Sequence, residues 1–436
     1  MKKHTNKQND FEMQAKQTKD SQKLGGNNSE PVYFNEAVDR AFEKLRSVGL
    51  KPNFLFLGNS VLHIATLNAF LLKLSSQGIN PCGVVCDNID PSRLSQFEKT
   101  DIFAAKQNNF ILLKRKVDFV FRDISAIHEV LNSCFPKFPI QATKSNDLEK
   151  PLDQTFFLLV TNEEYPSLEL WEIASSQGLS VQCVLLEEGV GSYVSQKSTH
   201  EFFAKKETTA VKRGLGLLKE KIAYPIKCRY RASTRQMCNI SYFGLLSNDN
   251  NVLSPNRDYC FWMQKSLETQ AKIRGFDNKS FSDHVIIVGT NFGELGDKET
   301  ERLFLEKIVD IINQSGFIPY FRPHPRIKDK THYASLGVEV DANDQCPLEA
   351  VIASAQSLPV AIVGLGSSSQ LLANVFWGIP SLTVASILKE AACEKISMTP
   401  IIAAYIERLQ LFDKTFKEWF MPVAGTKELE EILKNL

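Results

Sequence analysis

Short apolar runs alternate with helical segments along most of this chain. Each run is bounded by turn residues; the runs lie at residues 53–57, 83–86, 110–113, 155–160 and 181–186, and again at 284–288, 317–321, 360–363 and 381–384. Runs that are apolar throughout are typical of strands buried on both faces. Helices are predicted before and between these runs, among them residues 35–48, 169–177 and 298–314. Strands separated by helices favour a parallel sheet with helices on both sides. The sequence therefore predicts the α/β fold class, with two doubly wound domains facing a cleft.

Composition shifts divide the chain into five predicted parts. Residues 1–30 are polar and rich in Lys, Asn, Gln and Ser, which predicts a disordered tail. Residues 31–245 form the predicted first domain and residues 281–400 the second. Residues 246–280 form a predicted linker, within which residues 247–255 are the most linker-like. Residues 401–436 are predicted to form C-terminal helices.

Length, charge and cysteine content exclude several classes of protein. The chain has 436 residues, of which 43% are apolar, so it can bury two full cores. A formal charge of +1 gives no overall field that attracts nucleic acid, and no nucleic-acid partner is predicted. Polar residues interrupt the most apolar stretch, residues 54–74, so no membrane span is predicted. The N-terminal tail lacks the apolar region of a secretory signal. With nine cysteines in no metal-binding pattern, we predict a cytoplasmic protein without a metal site.

An acidic motif follows the apolar run at residues 181–186. Glu187 and Glu188 come first, and Gly189 and Gly191 allow a sharp turn and close approach of a substrate to the backbone. Adjacent carboxylates on an extended chain point to different sides, so one is a candidate general base. A solvated acidic turn is the alternative.

A basic, proline-framed motif follows the run at residues 317–321. His324 lies between Pro323 and Pro325, and Arg322 and Arg326 lie outside the prolines. Prolines restrict the backbone around the imidazole, and the arginines suit a nearby phosphate or carboxylate. A capped strand end with a surface histidine is the alternative.

A serine triplet follows the run at residues 360–363. Gly364 and Gly366 precede Ser367, Ser368 and Ser369, at the predicted start of a helix. Backbone N–H groups and hydroxyls at a helix N-terminus suit an anion such as phosphate. Plain N-capping is the alternative, although one serine would be enough for it. The pattern matches neither a P-loop nor a dinucleotide fingerprint.

Residues 205–235 carry far more Lys and Arg than Glu, with tyrosines interleaved. Such a stretch suits an anionic acceptor or a phospholipid surface, and it predicts peripheral contact with the inner membrane through Lys205 to Arg235. A solvated loop is the alternative.

The three motifs, in this order across two domains, resemble the bacterial sialyltransferases of the GT-B fold. The string from Leu186 to Tyr193 is most similar to the capsular alpha-2,8-polysialyltransferase type. The resemblance implies two Rossmann-like domains facing a central cleft, with the acceptor on the N-terminal side and the donor on the C-terminal side. It also implies a CMP-sialic acid donor, inversion at the anomeric centre and no metal or other cofactor.

The resemblance also implies roles for individual residues. One of Glu187 and Glu188 is the general base, and His324 meets the donor phosphate. The residues implied in donor binding are Gly189, Arg322, Pro325, Arg326, Gly366, Ser367, Ser368 and Ser369. The implied acceptor is a cell-surface glycan of a capsule or lipooligosaccharide.

Two alternatives stay open at this point. The first keeps the GT-B fold and changes the donor to CMP-Kdo or a UDP-sugar. The second is a non-catalytic nucleotide-binding protein of a capsule or lipooligosaccharide locus. A paired carboxylate together with a constrained histidine disfavours the second, since binding alone requires neither.

Overall fold

A computed structural model gives the fold of the chain. The structure describes residues 53–58, 60–79, 82–87, 110–114, 155–160, 180–186, 189, 240–243, 245–249, 252–275, 279–292, 298–325, 327, 333, 335–341, 346–394 and 399–436. The predicted tail and the predicted helices at residues 35–48 and 169–177 lie outside these ranges.

The first sheet is built from six parallel strands. They are β1 (Asn53–Gly58), β2 (Cys82–Asp87), β3 (Phe110–Lys114), β4 (Thr155–Val160), β5 (Ser180–Leu186) and β6 (Ile240–Phe243). Their order across the sheet is β3-β2-β1-β4-β5-β6. This order reverses direction between β1 and β4, which is the doubly wound arrangement.

The second sheet repeats the same topology. After an antiparallel pair, β7 (Leu246–Asp249) and β8 (Val252–Pro255), its strands are β9 (His284–Val288), β10 (Ile318–Arg322), β11 (Glu339–Val340), β12 (Ala361–Gly364), β13 (Ser381–Thr383) and β14 (Met421–Pro422). The order is β11-β10-β9-β12-β13-β14, and every pairing is parallel. Its reversal lies between β9 and β12. The predicted α/β class and GT-B type architecture are confirmed.

Eight helices of the described ranges cover these sheets. They are α1 (Val61–Ser76), α2 (Arg257–Ile273), α3 (Lys298–Gln314), α4 (Leu348–Ala353), α5 (Ser368–Trp377), α6 (Ala385–Cys393), α7 (Pro400–Thr415) and α8 (Thr426–Lys434). None of these eight combines the length and the apolar content that crossing a bilayer requires.

Helix α1 is buried on nearly every side, because it lies between the first sheet and α2. Ile64, Leu67 and Phe70 have no exposed surface, and the Phe70 ring packs edge-to-face on Phe54 of β1 with centroids 5.7 Å apart. Helices apolar around their whole circumference are typical of a protein interior. The most apolar stretch of the sequence, residues 54–74, thus comprises most of β1 and of a core helix of the first domain.

Helix α2 connects the two domains by packing on both. On one side, Ser266 Oγ donates a hydrogen bond of 2.7 Å to the Ala65 carbonyl of α1. Lys73 near the end of α1 forms an ion pair with Asp258 near the start of α2. On the other side, Tyr259 packs on Phe376 of α5, with ring centroids 6.4 Å apart. The position of one domain against the other thus depends on α2.

The stretch predicted as most linker-like has regular structure. Residues 247–255 belong largely to the antiparallel pair β7–β8, in which Leu246 lies opposite Pro255 and Asp249 opposite Val252. The Asn-rich sequence between the two strands is the kind that tight hairpin turns require. The sequence favours a linker here because turn-forming residues dominate the stretch and the strands on either side of the turn are short.

The predicted linker and the predicted C-terminal segment both contain regular structure, and the predicted domain boundaries stay predictions. Residues 246–280 hold β7, β8 and α2, and residues 401–436 supply a strand, β14, besides α7 and α8. Strand β14 pairs with β13 and completes the second sheet. The C-terminal segment is thus part of the second α/β unit.

We expect Phe70→Ala to lower the free energy of unfolding by about 3–5 kcal/mol, since it leaves a cavity against Phe54 in the core of the first domain. Phe261→Ala is the matched control, because Phe261 is 51% exposed on α2; we expect a change within about 0.5 kcal/mol. Urea unfolding followed by circular dichroism measures both. Equal losses for the two variants would contradict the assignment of α1 to the core.

Candidate active site

The motifs of the second domain lie at the carboxyl edge of its sheet, around the point where the strand order reverses. His324 follows β10, Gly289 follows β9, and the serine triplet follows β12, which are three neighbouring strands. The Gly289 N–H donates a hydrogen bond of 2.8 Å to the Arg322 carbonyl, which joins the ends of β9 and β10. In doubly wound sheets, ligands bind in the crevice at this reversal. The structure therefore brings His324 and the serines to one predicted binding crevice.

One of the three serines caps helix α5. The Gln370 N–H donates to Ser367 Oγ at 3.2 Å, and Gln370 Oε1 accepts from the N–H groups of Gly366 and Ser367 at 2.9 and 3.1 Å. This reciprocal arrangement is a capping box. Ser368 and Ser369 occupy the first turn of the helix beyond the cap. The capping interpretation thus accounts for Ser367, and Ser368 and Ser369 lie at the positive end of the helix dipole.

Gln370 fixes the position of the helix start against the sheet. Its side chain is fully buried, and Nε2 donates a hydrogen bond of 3.0 Å to the Leu382 carbonyl of β13. The main-chain carbonyl of Gln370 accepts a hydrogen bond of 2.7 Å from Ser381 Oγ. The side-chain amide of Gln370 therefore connects the β12 turn, the first turn of α5 and strand β13. The rigidity of the predicted anion site depends on this residue.

Helix α7 lies across the carboxyl ends of three adjacent strands. The Tyr405 hydroxyl is hydrogen-bonded to Thr290 after β9, Phe412 contacts Gly366 after β12, and Thr383 Oγ1 of β13 donates to Asp413 Oδ1 at 2.6 Å. Eight residues of α-helix span about 12 Å and two strand spacings about 10 Å, so one helix reaches all three strands. Burial raises the pKa of Asp413, and the Thr383 hydroxyl opposes that shift. Helix α7 forms a wall of the crevice.

This wall was not predicted from the sequence. Residues 401–436 were predicted only to form helices, and no role was assigned to them. Tyr405, Leu409 and Phe412 have the spacing of an ordinary core-facing helix stripe. The positive φ of Gly366, 68°, is the local signal that the β12 turn bends under this helix.

The acidic motif of the first domain meets the serine triplet of the second. A methyl group placed on Gly189 would lie 2.2 Å from Ser368 Oγ and 2.7 Å from Ser368 Cβ. Gly189 comes just after β5 and is buried, and Ser368 begins α5. Glycine is required here, because any side chain would occupy the space of the serine. Two motifs far apart in sequence, on two different sheets, are therefore in direct contact.

Arg322 is directed into the domain. Its side chain is buried; the guanidinium forms an ion pair with Asp341 and donates to the Cys346 carbonyl. This arrangement joins β10 to the segment before α4. It argues against the predicted direct contact between Arg322 and a donor phosphate, and it gives Arg322 the role of holding the end of β10, and with it His324, in place.

Several predicted site residues lie outside the described residues. These are Glu187, Glu188, Arg326 and the basic stretch from Lys205 to Arg235. His324 is half-buried at the strand end, and the exposed Pro325 follows it. Within the described ranges, no group of three or more His, Cys, Asp or Glu side chains is arranged to hold a metal ion.

We expect Gln370→Ala to lower the free energy of unfolding by about 3 kcal/mol, because it leaves a buried N–H group, a partly buried N–H group and a buried carbonyl without partners. Gln356→Ala removes the same side chain from an exposed position and should change stability by less than about 0.5 kcal/mol. Chemical denaturation compares them. A loss at Gln370 as small as the loss at Gln356 would refute the role of the buried amide.

We expect Gly189→Ala to destabilise the protein by about 1–3 kcal/mol, since the new methyl group overlaps Ser368. In a Ser368→Gly background the same change should cost much less, because the overlapping atoms are absent. A double-mutant cycle of thermal unfolding isolates this coupling. An identical cost in both backgrounds would show that Gly189 and Ser368 do not touch.

Solved structures similar to this chain are nucleotide-sugar enzymes of low sequence identity. The UDP-GlcNAc 2-epimerase of Methanocaldococcus jannaschii has 15% identity and a TM-score of 0.47, over 89% of this chain and 93% of that chain. The 2,6-sialyltransferase of Photobacterium sp. JT-ISH-224, in complex with CMP and lactose, has 12% identity and a TM-score of 0.45, over 86% and 78%. The sialyltransferase of Photobacterium damsela has 11% identity and a TM-score of 0.42, over 85% and 81%. These values are too low to carry an argument about activity.

The family of the chain follows from comparison of its sequence with protein-family models. No curated protein matches the chain. The family model described as Alpha-2,8-polysialyltransferase (POLYST) matches residues 54–386, which include all three motifs and most of both sheets. This chain belongs to the alpha-2,8-polysialyltransferase family and is a glycosyltransferase of sialyltransferase type.

Proposed function

We propose that the protein is an inverting, metal-independent transferase that moves sialic acid from CMP-sialic acid to a hydroxyl group of a cell-surface glycan. The observation that carries the proposal is the contact of Gly189 with Ser368. It joins the acidic motif of the first domain to the helix start that follows β12. The contact supports a single crevice shared by the proposed base and the proposed leaving-group site.

The second domain has the features needed to bind a nucleotide monophosphate. As the bond to the anomeric carbon breaks, negative charge develops on the phosphate and must be stabilised. The N-terminus of α5 offers N–H groups, the positive end of a helix dipole, and the hydroxyls of Ser368 and Ser369. His324, at the end of the next strand but one, is a proton donor or electrostatic partner for the same phosphate. These groups supply charge stabilisation without a divalent cation.

The first domain supplies the proposed base. Glu187 and Glu188 immediately precede Gly189 in the sequence, and consecutive Cα atoms are about 3.8 Å apart, which supports the proposal that one of them acts near Ser368. A carboxylate within hydrogen-bond reach of an acceptor hydroxyl removes its proton as the hydroxyl attacks. We propose one of the two glutamates for this role, and both stay candidates.

Inversion follows from the placement of these groups on two domains. The leaving phosphate is held by the second domain, and the acceptor is activated by the first. An acceptor that approaches from the opposite wall attacks the face of the anomeric carbon away from the phosphate. A single displacement of this geometry inverts the anomeric centre, and closure of the domains around the donor excludes water.

The acceptor and the place of action follow from the same proposal. We propose a glycan of a capsule or lipooligosaccharide as the acceptor, elongated at the cytoplasmic face of the inner membrane. Contact with the membrane through Lys205 to Arg235 remains a prediction, which binding to vesicles of anionic and neutral phospholipid would test.

We expect His324→Ala to reduce transfer at least about 100-fold while the protein stays folded, because the leaving phosphate loses its partner. His284→Ala is the matched control. His284 begins β9 at the amino edge of the sheet, about 13 Å of strand from the crevice, and transfer should stay within about threefold of wild type. Release of CMP from labelled CMP-sialic acid, with a sialylated or galactose-terminated acceptor, measures both.

The same assay separates the alternatives. Release of CMP or UDP only from CMP-Kdo or a UDP-sugar would replace the proposed donor. Binding of CMP without turnover, unaffected by Glu187→Gln or Glu188→Gln, would replace the enzyme by a binding protein. Wild-type turnover in His324→Ala would refute the role of the histidine.

A further inference from the structure

Asp341 binds three consecutive residues of strand β10. Its backbone N–H donates a hydrogen bond of 2.8 Å to the Phe321 carbonyl. Its carboxylate forms an ion pair with Arg322 and accepts a hydrogen bond from the Tyr320 hydroxyl. Because side chains alternate along a strand, Tyr320 and Arg322 lie on the same face of the sheet, and one carboxylate reaches both. The last three residues of β10 are therefore held by the residue that follows β11.

These interactions are buried. Asp341 is 1% exposed, Tyr320 4% and Arg322 8%. Burial and the nearby Asp341 carboxylate raise the pKa of the Tyr320 hydroxyl, which therefore stays protonated and acts as the donor. Hydrogen bonds to a charged group are stronger than neutral ones, and the absence of water strengthens them further. The carboxylate thus holds both side chains of β10 in one arrangement.

The other side of β10 is held by β9, so that the strand end is fixed between its two neighbours in the sheet. The Gly289 N–H donates to the Arg322 carbonyl at 2.8 Å. A methyl group placed on Gly289 would lie 3.0 Å from that carbonyl and 3.1 Å from the His324 nitrogen, so the two strand ends are in close contact. His324, two residues beyond the end of β10, takes its position from this arrangement.

The connection between the end of β10 and His324 is stiff. Pro323 alone separates Arg322 from His324, and it is buried. Proline fixes its own φ, so a displacement of the strand end is passed on to the histidine. Misplacing a catalytic group by about 1 Å can lower a rate about 100-fold. The position of the imidazole therefore depends on what holds β10.

We propose that Asp341 is a positioning residue for the transfer, because by holding the end of β10 it places the His324 imidazole against the donor phosphate. The inference rests on the proposed function and deepens it, since it adds to the site a residue that does not touch the donor. The proposed phosphate site at the start of α5 is held by Gln370 instead. Loss of the Asp341 carboxylate should therefore slow transfer without weakening donor binding.

Asp341→Asn tests the proposal, since it keeps the shape of the side chain and removes its charge. We expect kcat to fall about tenfold, while KM for CMP-sialic acid and Kd for CMP stay within about threefold of wild type. In a His324→Ala background the same substitution should change the residual transfer by less than about twofold, because the group that it positions is absent. Release of labelled CMP, calorimetry with CMP and circular dichroism measure turnover, binding and folding.

Tyr320→Phe is a milder variant, because it removes one donor to Asp341 and keeps the ring. We expect kcat to fall about threefold at unchanged KM. Tyr333→Phe is the matched control. Tyr333 is 1% exposed, and its hydroxyl donates a hydrogen bond of 2.7 Å to a different carboxylate, that of Glu301 on α3. The control loses a buried hydrogen bond of the same kind in the same domain and should keep wild-type kcat.

Three results would overturn the assignment: wild-type kcat in Asp341→Asn, a loss confined to KM, or an equal loss with and without His324. If Asp341→Asn does not fold, Tyr320→Phe decides by the same results, and an equal fall of kcat in Tyr320→Phe and Tyr333→Phe would also overturn it. Failure of wild type to release CMP, or wild-type turnover in His324→Ala, would refute the proposed function instead.

Discussion

The contact between Gly189 and the start of α5 is the constraint on which the site depends. Parallel strands place their carboxyl ends at one edge of a sheet, and this chain has two such edges. A residue without a side chain lets the two edges touch, because a single methyl group would overlap Ser368. The turn after β5 in the first domain and the start of α5 in the second domain are therefore in contact.

Two helices determine how that crevice is built, and both come from parts of the chain outside the repeated sheet units. Helix α2 packs on α1 of the first domain and on α5 of the second, so it sets the distance between the sheets. Helix α7 lies across the ends of β9, β12 and β13 and forms one wall of the crevice where the strand order reverses. Gln370, bonded to the β12 turn and to β13, keeps the start of α5 fixed between them.

Local patterns were enough to predict most of the sheet strands and the positions of the motifs, but not β6, the pair β7–β8 or helix α2. Strand His284–Val288 and helix Lys298–Gln314 were predicted to the residue, because a fully apolar run and a 3.6-residue period each leave little choice. Non-local features were not predictable. Asp341, the partner of Arg322, is nineteen residues away, and the contact of Gly189 with Ser368 joins two domains. Nothing in the local pattern of residues 401–436 distinguishes a wall of the site from an ordinary packed helix.

The most direct test of the central claim is a crystal structure of the protein with CMP. We predict that the phosphate lies within about 3 Å of the backbone N–H groups and hydroxyls in the first turn of α5, and that the His324 imidazole contacts the same phosphate. Gly189 of the acidic motif should face it across the crevice. CMP bound at another edge of the second sheet, or with its phosphate directed away from α5, would contradict the account.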